Sequence, residues 1–208
     1  MLAETHTLIA DKLLDRVYSE YGIRLNDKKL RWGAVAPDYL PYYKFKRHYL
    51  DESIGYISTE IVNLIYISRY VDFQNMKPFF NKFFSKRMGI ISHYLSDFTT
   101  RPHALRERCT NIDDLKSHIK YEKDLMKHAI KHEFKFINLD TSILVSDQYV
   151  TMKERVEHFI RSVVNDYLEN EASHGNDLDY AMSLSFIISD FVFETIFMYS
   201  EEMELQFI

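Results

Sequence analysis

Cysteine is nearly missing from this chain: Cys109 stands alone among 208 residues. A single thiol cannot close an internal disulfide, so the fold must be held by packing or by bound groups. Beside Arg106 and Arg108 it reads as a bystander, with metal-ligand duty left open. Glycine and proline are scarce too, at five and four residues, which leaves little punctuation and predicts long helices. No run of about 18 apolar residues appears, so no transmembrane segment is expected. Basic blocks are also missing and the formal net charge is -5, so stable nucleic-acid binding is not expected. The start, MLAETHTLIADKLLDRVYSE, carries charges every few residues where a secretory leader needs an unbroken apolar core. Together these absences predict a cytoplasmic chain without a leader. What is present, 46% hydrophobic and 27% charged residues, is ordinary globular composition, and the length suits one domain over residues 1–208.

Apolar spacing predicts helices over 5–20, 51–70, 77–98, 112–134, 151–170 and 177–205. Asp51 and Glu52 give the second an acidic start. Asn111 or Asp113, Asp147 or Thr151, and Asn176 or Asp177 are the candidate starts of the last three. Residues 30–50, broken by Gly33, Pro37 and Pro41 and rich in aromatics, read as a loop. Residues 135–150 read as a loop or a short extended piece, with Val145, Tyr149 and Val150 in it. No internal repeat or low-complexity segment appears. The expected fold is all-α, a single-domain multi-helix bundle.

Three of the four prolines, Pro37, Pro41 and Pro102, fall beside residues with metal-ligand chemistry. His93 and Asp97 lie four apart in an apolar run, which puts them on one helix face. His103 follows directly after Pro102. His118 and Glu122 form a second four-residue pair, and His6, Asp38 and His48 lie upstream. Zinc takes imidazole nitrogen and carboxylate oxygen in low coordination number. Eight such groups exceed one ion's need, and two or three zincs held close together suit phosphoester hydrolysis, because they can stabilise both the attacking and the leaving oxygen. The flanking residues, Ile90, Ile91, Tyr94 and Leu95 on one side and Ile119, Tyr121 and Leu125 on the other, place these faces toward the interior, where an unpaired carboxylate is costly. Taken singly, each pair could equally be a polar core satisfied by its own partners. His128, His132, His158 and His174 lie in charged surroundings and read as surface residues.

HYLSDFTTRPHA, followed after a short gap by HIKYE, resembles the central signature of the bacterial zinc-dependent phospholipases C, relatives of the single-strand-specific zinc nucleases. The resemblance covers about residues 1–125, and the rest of the chain matches only as further helix. It implies that His93, Asp97, His103, His118 and Glu122 are zinc ligands, with His6, Asp38 and His48 as the upstream members. One zinc would take Asp38, His48, His93 and Asp97, and a second His103, His118 and Glu122. A third would share Asp97 and add His6. In that family an N-terminal tryptophan completes the third zinc. Here the interval from Met1 to His6 equals the one between the terminal tryptophan and the histidine of the related nucleases. Leu2 should discourage methionine removal, so the Met1 amine could chelate instead.

The implied reaction is in-line attack of a zinc-activated water on a phosphodiester, with Asp38 as general base. Tyr39 and Phe45 stand at the offsets of aromatic residues that line the family's choline pocket, and Glu4 would add a charge there. The same aromatics could instead pack the 30–50 segment onto the helices. The leading expectation is hydrolysis of a phosphodiester of phospholipase C type, with a phospholipid headgroup ester as the first candidate substrate. The alternatives are a nucleotide or nucleic-acid phosphoesterase with the same cluster, and a helical metal-binding protein without turnover.

Overall fold

The computed structural model describes residues 1–107, 110–145 and 151–206. Cys109, Asp147, Tyr149 and Val150 lie outside them. The helices are α1 (Ala3–Tyr21), α2 (Asp27–Tyr39), α3 (Leu50–Ser68), α4 (Pro78–Phe98), α5 (Arg101–Ala104), α6 (Ile112–Ala129), α7 (Ser142–Val145), α8 (Met152–Glu169) and α9 (His174–Gln206), with a 3-10 turn over Pro41–Phe45 between α2 and α3. No strand occurs among the described residues. The fold is all-α, as the spacing predicts. In the 135–150 segment the described part holds one helical turn, α7, rather than an extended piece.

Local chemistry sets most boundaries. Gly22, at φ 67°, takes the left-handed conformation that ends α1, and its N–H bonds back to the Tyr18 carbonyl. Asn111 caps α6 by accepting from the Asp113 and Asp114 N–H groups, and Thr151 forms a reciprocal capping box with Glu154. α9 begins earlier than expected. Ser173, not Asn176 or Asp177, serves as its cap, its Oγ accepting from the Asn176 N–H at 3.1 Å.

The segment expected to be a loop contains a helix instead. Asp27–Tyr39 is α2, and Asp38 rides on its last turn. Gly33 does not mark a turn there. It lets α2 cross α4 backbone to backbone at Gly89: a Cβ on Gly33 would stand 2.2 Å from the Lys86 carbonyl oxygen, and one on Gly89 2.1 Å from that of Leu30. Pro37 lies inside the last turn of α2, without an N–H to return to the Gly33 carbonyl, and the helix ends two residues later; Pro41 opens the 3-10 turn at its first position.

α4 is the centre of the molecule. Every residue from Met88 to Phe98 is buried, because α2, α9, α3 and α1 pack around it. α9 is the second core element. Its His174–Glu201 stretch is apolar and long enough by composition to cross a membrane, with mean hydropathy 1.6, which corrects the expectation that no segment qualifies. Yet 67% of that window is buried against the other helices, and an all-round apolar helix of this kind is what a protein core requires. A smaller apolar cluster of Met1, Ile9, Leu125, Ala129, Leu178 and Ala181 joins the start of α1, the end of α6 and the start of α9. Met1 is buried in it.

Candidate metal centre

Asp97 is fully buried on α4, and its two oxygens face different partners. Oδ2 lies 2.8 Å from His48 Nδ1 and 3.4 Å from His93 Nε2. Asp38 Oδ1 lies 3.7 Å from the first of these nitrogens and 3.6 Å from the second, and the two nitrogens are 3.4 Å apart. Oδ1 meets the Met1 amino nitrogen at 2.7 Å and His6 Nε2 at 3.4 Å. A third group forms around Glu122. Its Oε1 is 3.3 Å from His118 Nε2, 3.8 Å from His103 Nε2 and 3.1 Å from the Met1 nitrogen. All eight side chains singled out in the sequence thus converge, from α1, α2, the segment before α3, α4, α5 and α6.

The local folding explains the convergence. α4 ends at Phe98, and Thr100 closes its end, its Oγ1 donating to the Ser96 carbonyl at 2.8 Å. The chain then turns into α5 with Pro102 near its start, which carries His103 across to α6. His93 Nδ1 lies 2.7 Å from the Ala34 carbonyl oxygen. A carbonyl only accepts, so Nδ1 holds the proton and Nε2 presents its lone pair to the Asp38, His48 and Asp97 group. Tyr94 donates to the Lys46 carbonyl at 2.9 Å and Tyr49 to that of Glu107 at 3.2 Å, which fixes the segment carrying His48 on both sides.

Sequence reasoning missed one supporting element. Asp177, fully buried, accepts hydrogen bonds from the Tyr121 hydroxyl and, at 2.5 Å, from that of Tyr167. Tyr121 immediately precedes Glu122, so α9 holds this ligand's register through a buried carboxylate. In the sequence Asp177 reads only as a helix start, although it directly precedes the apolar run that opens at Leu178.

Electrostatics shows what the cluster lacks. Burial works against a charge on Asp97, yet the Met1 amine and surrounding imidazoles hold its carboxyl well below the usual range. Burial also opposes ionisation of Glu122, and the neighbouring His103 and His118 imidazoles with the Met1 amine overcome it, so its carboxyl is held well below the usual range. Burial lowers His93 and His103. For His48, burial is outweighed by Asp97, and its value is raised. Asp38 is raised by burial and by the charge on Asp97. Both ring nitrogens of His6 and of His103 are buried without a hydrogen bond. Lone pairs buried in this way, aimed at carboxylates that cannot donate, call for a cation. Imidazole nitrogen with carboxylate oxygen is the donor set zinc takes. Three groups have the ligand spacing to hold an ion: His6, Asp38 and His93; His48, His93 and Asp97; and His103, His118 and Glu122, the first two being alternatives that share His93.

A family profile described as zinc dependent phospholipase C matches residues 5–174. The chain belongs to the zinc-dependent phospholipase C family. The match runs well past the first 125 residues to the start of α9, so the family pattern includes α8 as well as the ligand-bearing elements. No curated protein and no solved structure matches the chain. Membership in the zinc-dependent phospholipase C family implies zinc as the metal and a hydrolase acting on phosphodiesters.

In this family member the candidate ligands open onto a cavity of about 630 Å³, lined among others by Asp38, Tyr43, Lys46, His48, His103 and His118. Tyr43 and Tyr49 stand in its wall. Tyr39 and Phe45 do not line it and are 63% and 93% exposed, because the 3-10 turn puts Tyr43 inward and its neighbours outward. Of the aromatics that could have packed this segment onto the helices, only Tyr43 does so. Glu4 is exposed on the first turn of α1 and lines no part of the cavity. Of the four histidines expected at the surface, His128 and His158 are exposed. His132 instead meets buried Asp179 at 2.7 Å, and half-buried His174 packs on the Tyr121 ring at 4.7 Å.

Proposed function

We propose that the protein is a phosphodiester hydrolase of phospholipase C type with three zinc sites. Asp38, His48, His93 and Asp97 would hold the first, His103, His118 and Glu122 the second, and Asp97, His6 and the Met1 amine the third. The carrying observation is Asp97, whose oxygens face two separate ligand groups at 2.7–3.4 Å. A carboxylate bridging two cations in this way leaves neither oxygen uncompensated in the interior.

When bound, zinc supplies Lewis-acid stabilisation of the phosphoryl oxygens and makes water acidic enough to attack near neutral pH. The protein's own groups do the rest. Asp38 is the exposed carboxylate of the cluster and lines the cavity, within reach of an attacking water. It takes the proton of the attacking water. Lys46 and Arg47 line the same cavity and complement the phosphate charge. His93, fixed by the Ala34 carbonyl, keeps the geometry around Asp38 from drifting.

Asp38→Asn is the direct test. With the His103, His118 and Glu122 site still occupied, phosphodiester hydrolysis should fall by about 10²–10⁴. A zinc-replete wild type without turnover on soluble or lipid phosphodiesters would instead mark a metal-binding protein.

A further inference from the structure

Three histidines that the metal centre does not use gather where α6 ends and α9 begins. His128 lies on the last turn of α6, His132 follows just beyond it, and His174 opens α9. The His128 ring is 5.2 Å from that of His132 and 6.1 Å from that of His174, centroid to centroid. In the candidate centre the His48 and His93 rings stand 4.7 Å apart, and those of His103 and His118 5.3 Å. Two imidazoles on one tetrahedral zinc, with Zn–N bonds of about 2.0–2.1 Å, are spaced by about 5 Å ring to ring, so His128 and His132 already have ligand spacing. Their edges also face one point. A Cβ on Gly175 would stand 3.8 Å from His128 Nε2 and 3.3 Å from His132 Cε1, and glycine leaves that position open.

The hydrogen bonds around the rings leave lone pairs over. His132 Nε2 lies 2.7 Å from Asp179 Oδ1, which also accepts the Lys135 N–H at 2.8 Å. A carboxylate only accepts, so in the neutral ring Nε2 holds the proton and Nδ1 the lone pair, and a carboxylate behind an imidazole is the arrangement that orients metal-ligating histidines. His174 Nδ1 is buried without a hydrogen bond, and its ring is set edge-on to Tyr121. Partial burial, and then His132 and His174, lower the pKa of His128, so the ring that touches both others is uncharged near neutral pH and free to coordinate. We infer that His128, His132 and His174 form a second, separate site for a divalent transition-metal ion, with zinc as its first occupant. His128 and His132, four residues apart, take the ion as a pair. His174 closes on it as third ligand by turning about its own side-chain bonds, and Asp179 stays behind His132. Nitrogen donors of this kind suit zinc or copper and not calcium or magnesium, which take oxygen. The ion would tie α6, which carries His118 and Glu122, to the helix whose Asp177 holds Tyr121. The inference stands apart from the proposed hydrolysis and does not need it.

The test measures zinc per chain in untagged protein at buffered micromolar free zinc, for wild type, His128→Ala and His158→Ala. His128 is exposed, so its truncation should leave the fold intact, and His158 is an exposed histidine on another helix. Wild type should hold one zinc more than His128→Ala, and His158→Ala should match wild type. One equivalent of Cu²⁺ added to zinc-loaded protein reads the same site by electron paramagnetic resonance, with coupling to imidazole nitrogens in wild type that disappears in His128→Ala. Asp179→Asn should weaken this site by about 10–100-fold, as loss of a carboxylate behind a ligating histidine does. Equal zinc content in wild type and His128→Ala, or a copper signal that survives the substitution, overturns the proposal. A deficit of more than one ion in His128→Ala also overturns it, because the effect would then lie in the main centre. So does a site that fills only at millimolar zinc, which is an adventitious ion only.

Discussion

At the scale of single residues, the centre turns on what sits against Asp97 Oδ1. The Met1 amine does, at 2.7 Å, and it also touches Glu122 at 3.1 Å. Burial disfavours its charge, but Asp97, Glu122 and Asp38 outweigh that and raise its pKa to about 10. As a zinc ligand it must shed that proton, so the third zinc should bind with proton release and more tightly as pH rises toward 10. For chain starting at Met1, zinc content is therefore expected to rise by one ion between pH 6 and pH 8.5 under limiting zinc. A residue added before Met1 should abolish that step and leave the other two sites filled. Equal zinc content in both proteins at both pH values would remove Met1 from the ligand set. The convergence of the eight side chains was legible because their spacing is chemically restrictive. The roles of Asp177, His132 and His174 were not, because they depend on contacts with Tyr121, Asp179 and Tyr121 respectively, each more than forty residues away in sequence.

At the scale of elements, the α2/α4 crossing decides how well the cluster is held. α2 carries both Asp38 and the Ala34 carbonyl that orients His93, so its distance from α4 sets the site. Gly89→Ala would force a methyl to 2.1 Å from the Leu30 carbonyl oxygen, a backbone atom that cannot swing away. The helices must separate, at a cost of about 1–3 kcal/mol or more. Zinc should be lost from the Asp38, His48, His93 and Asp97 group before the His103 group, which lies on α5 and α6. Gly55→Ala is the control. Its added Cβ would meet nothing nearer than 3.7 Å, and helix propensity alone predicts neutrality or a gain of about 1 kcal/mol. Thermal unfolding and zinc analysis of both variants check this, and equal behaviour would mean that the crossing is not tight. The same crossing explains why α2 read as a loop. Glycine and proline are local breakers by propensity, and only the packed neighbour reveals that Gly33 is there for close approach. The long helices were legible, since their apolar period is sustained over many turns.

At the scale of the whole molecule, the candidate metal centre takes the place of core at one end of the bundle. α4 and α9 are buried nearly all round along their apolar stretches. Where α4 reaches His93 and Asp97, carboxylates and imidazoles replace aliphatic side chains in the interior. Six helices or segments contribute to that polar pocket, so its occupancy is coupled to global folding rather than to one loop. Each zinc bound at a hundredfold excess over its dissociation constant should add about 2.7 kcal/mol, and about 1 kcal/mol shifts the melting temperature of a chain this size by roughly 2–4 °C. Two or three ions then predict a fall of about 10–30 °C when a chelator strips the protein. The loss should be steeper than for a surface site, because His6 and His103 keep buried nitrogens without hydrogen bonds once the cation is gone. Calorimetry before and after chelation, with zinc added back, measures it. If the stripped protein melts at the same temperature, the Met1 amine and the imidazoles already neutralise Asp97 and Glu122, and the cluster is a self-sufficient polar core. A reversible drop of the predicted size means instead that the fold depends on the metal that hydrolysis requires.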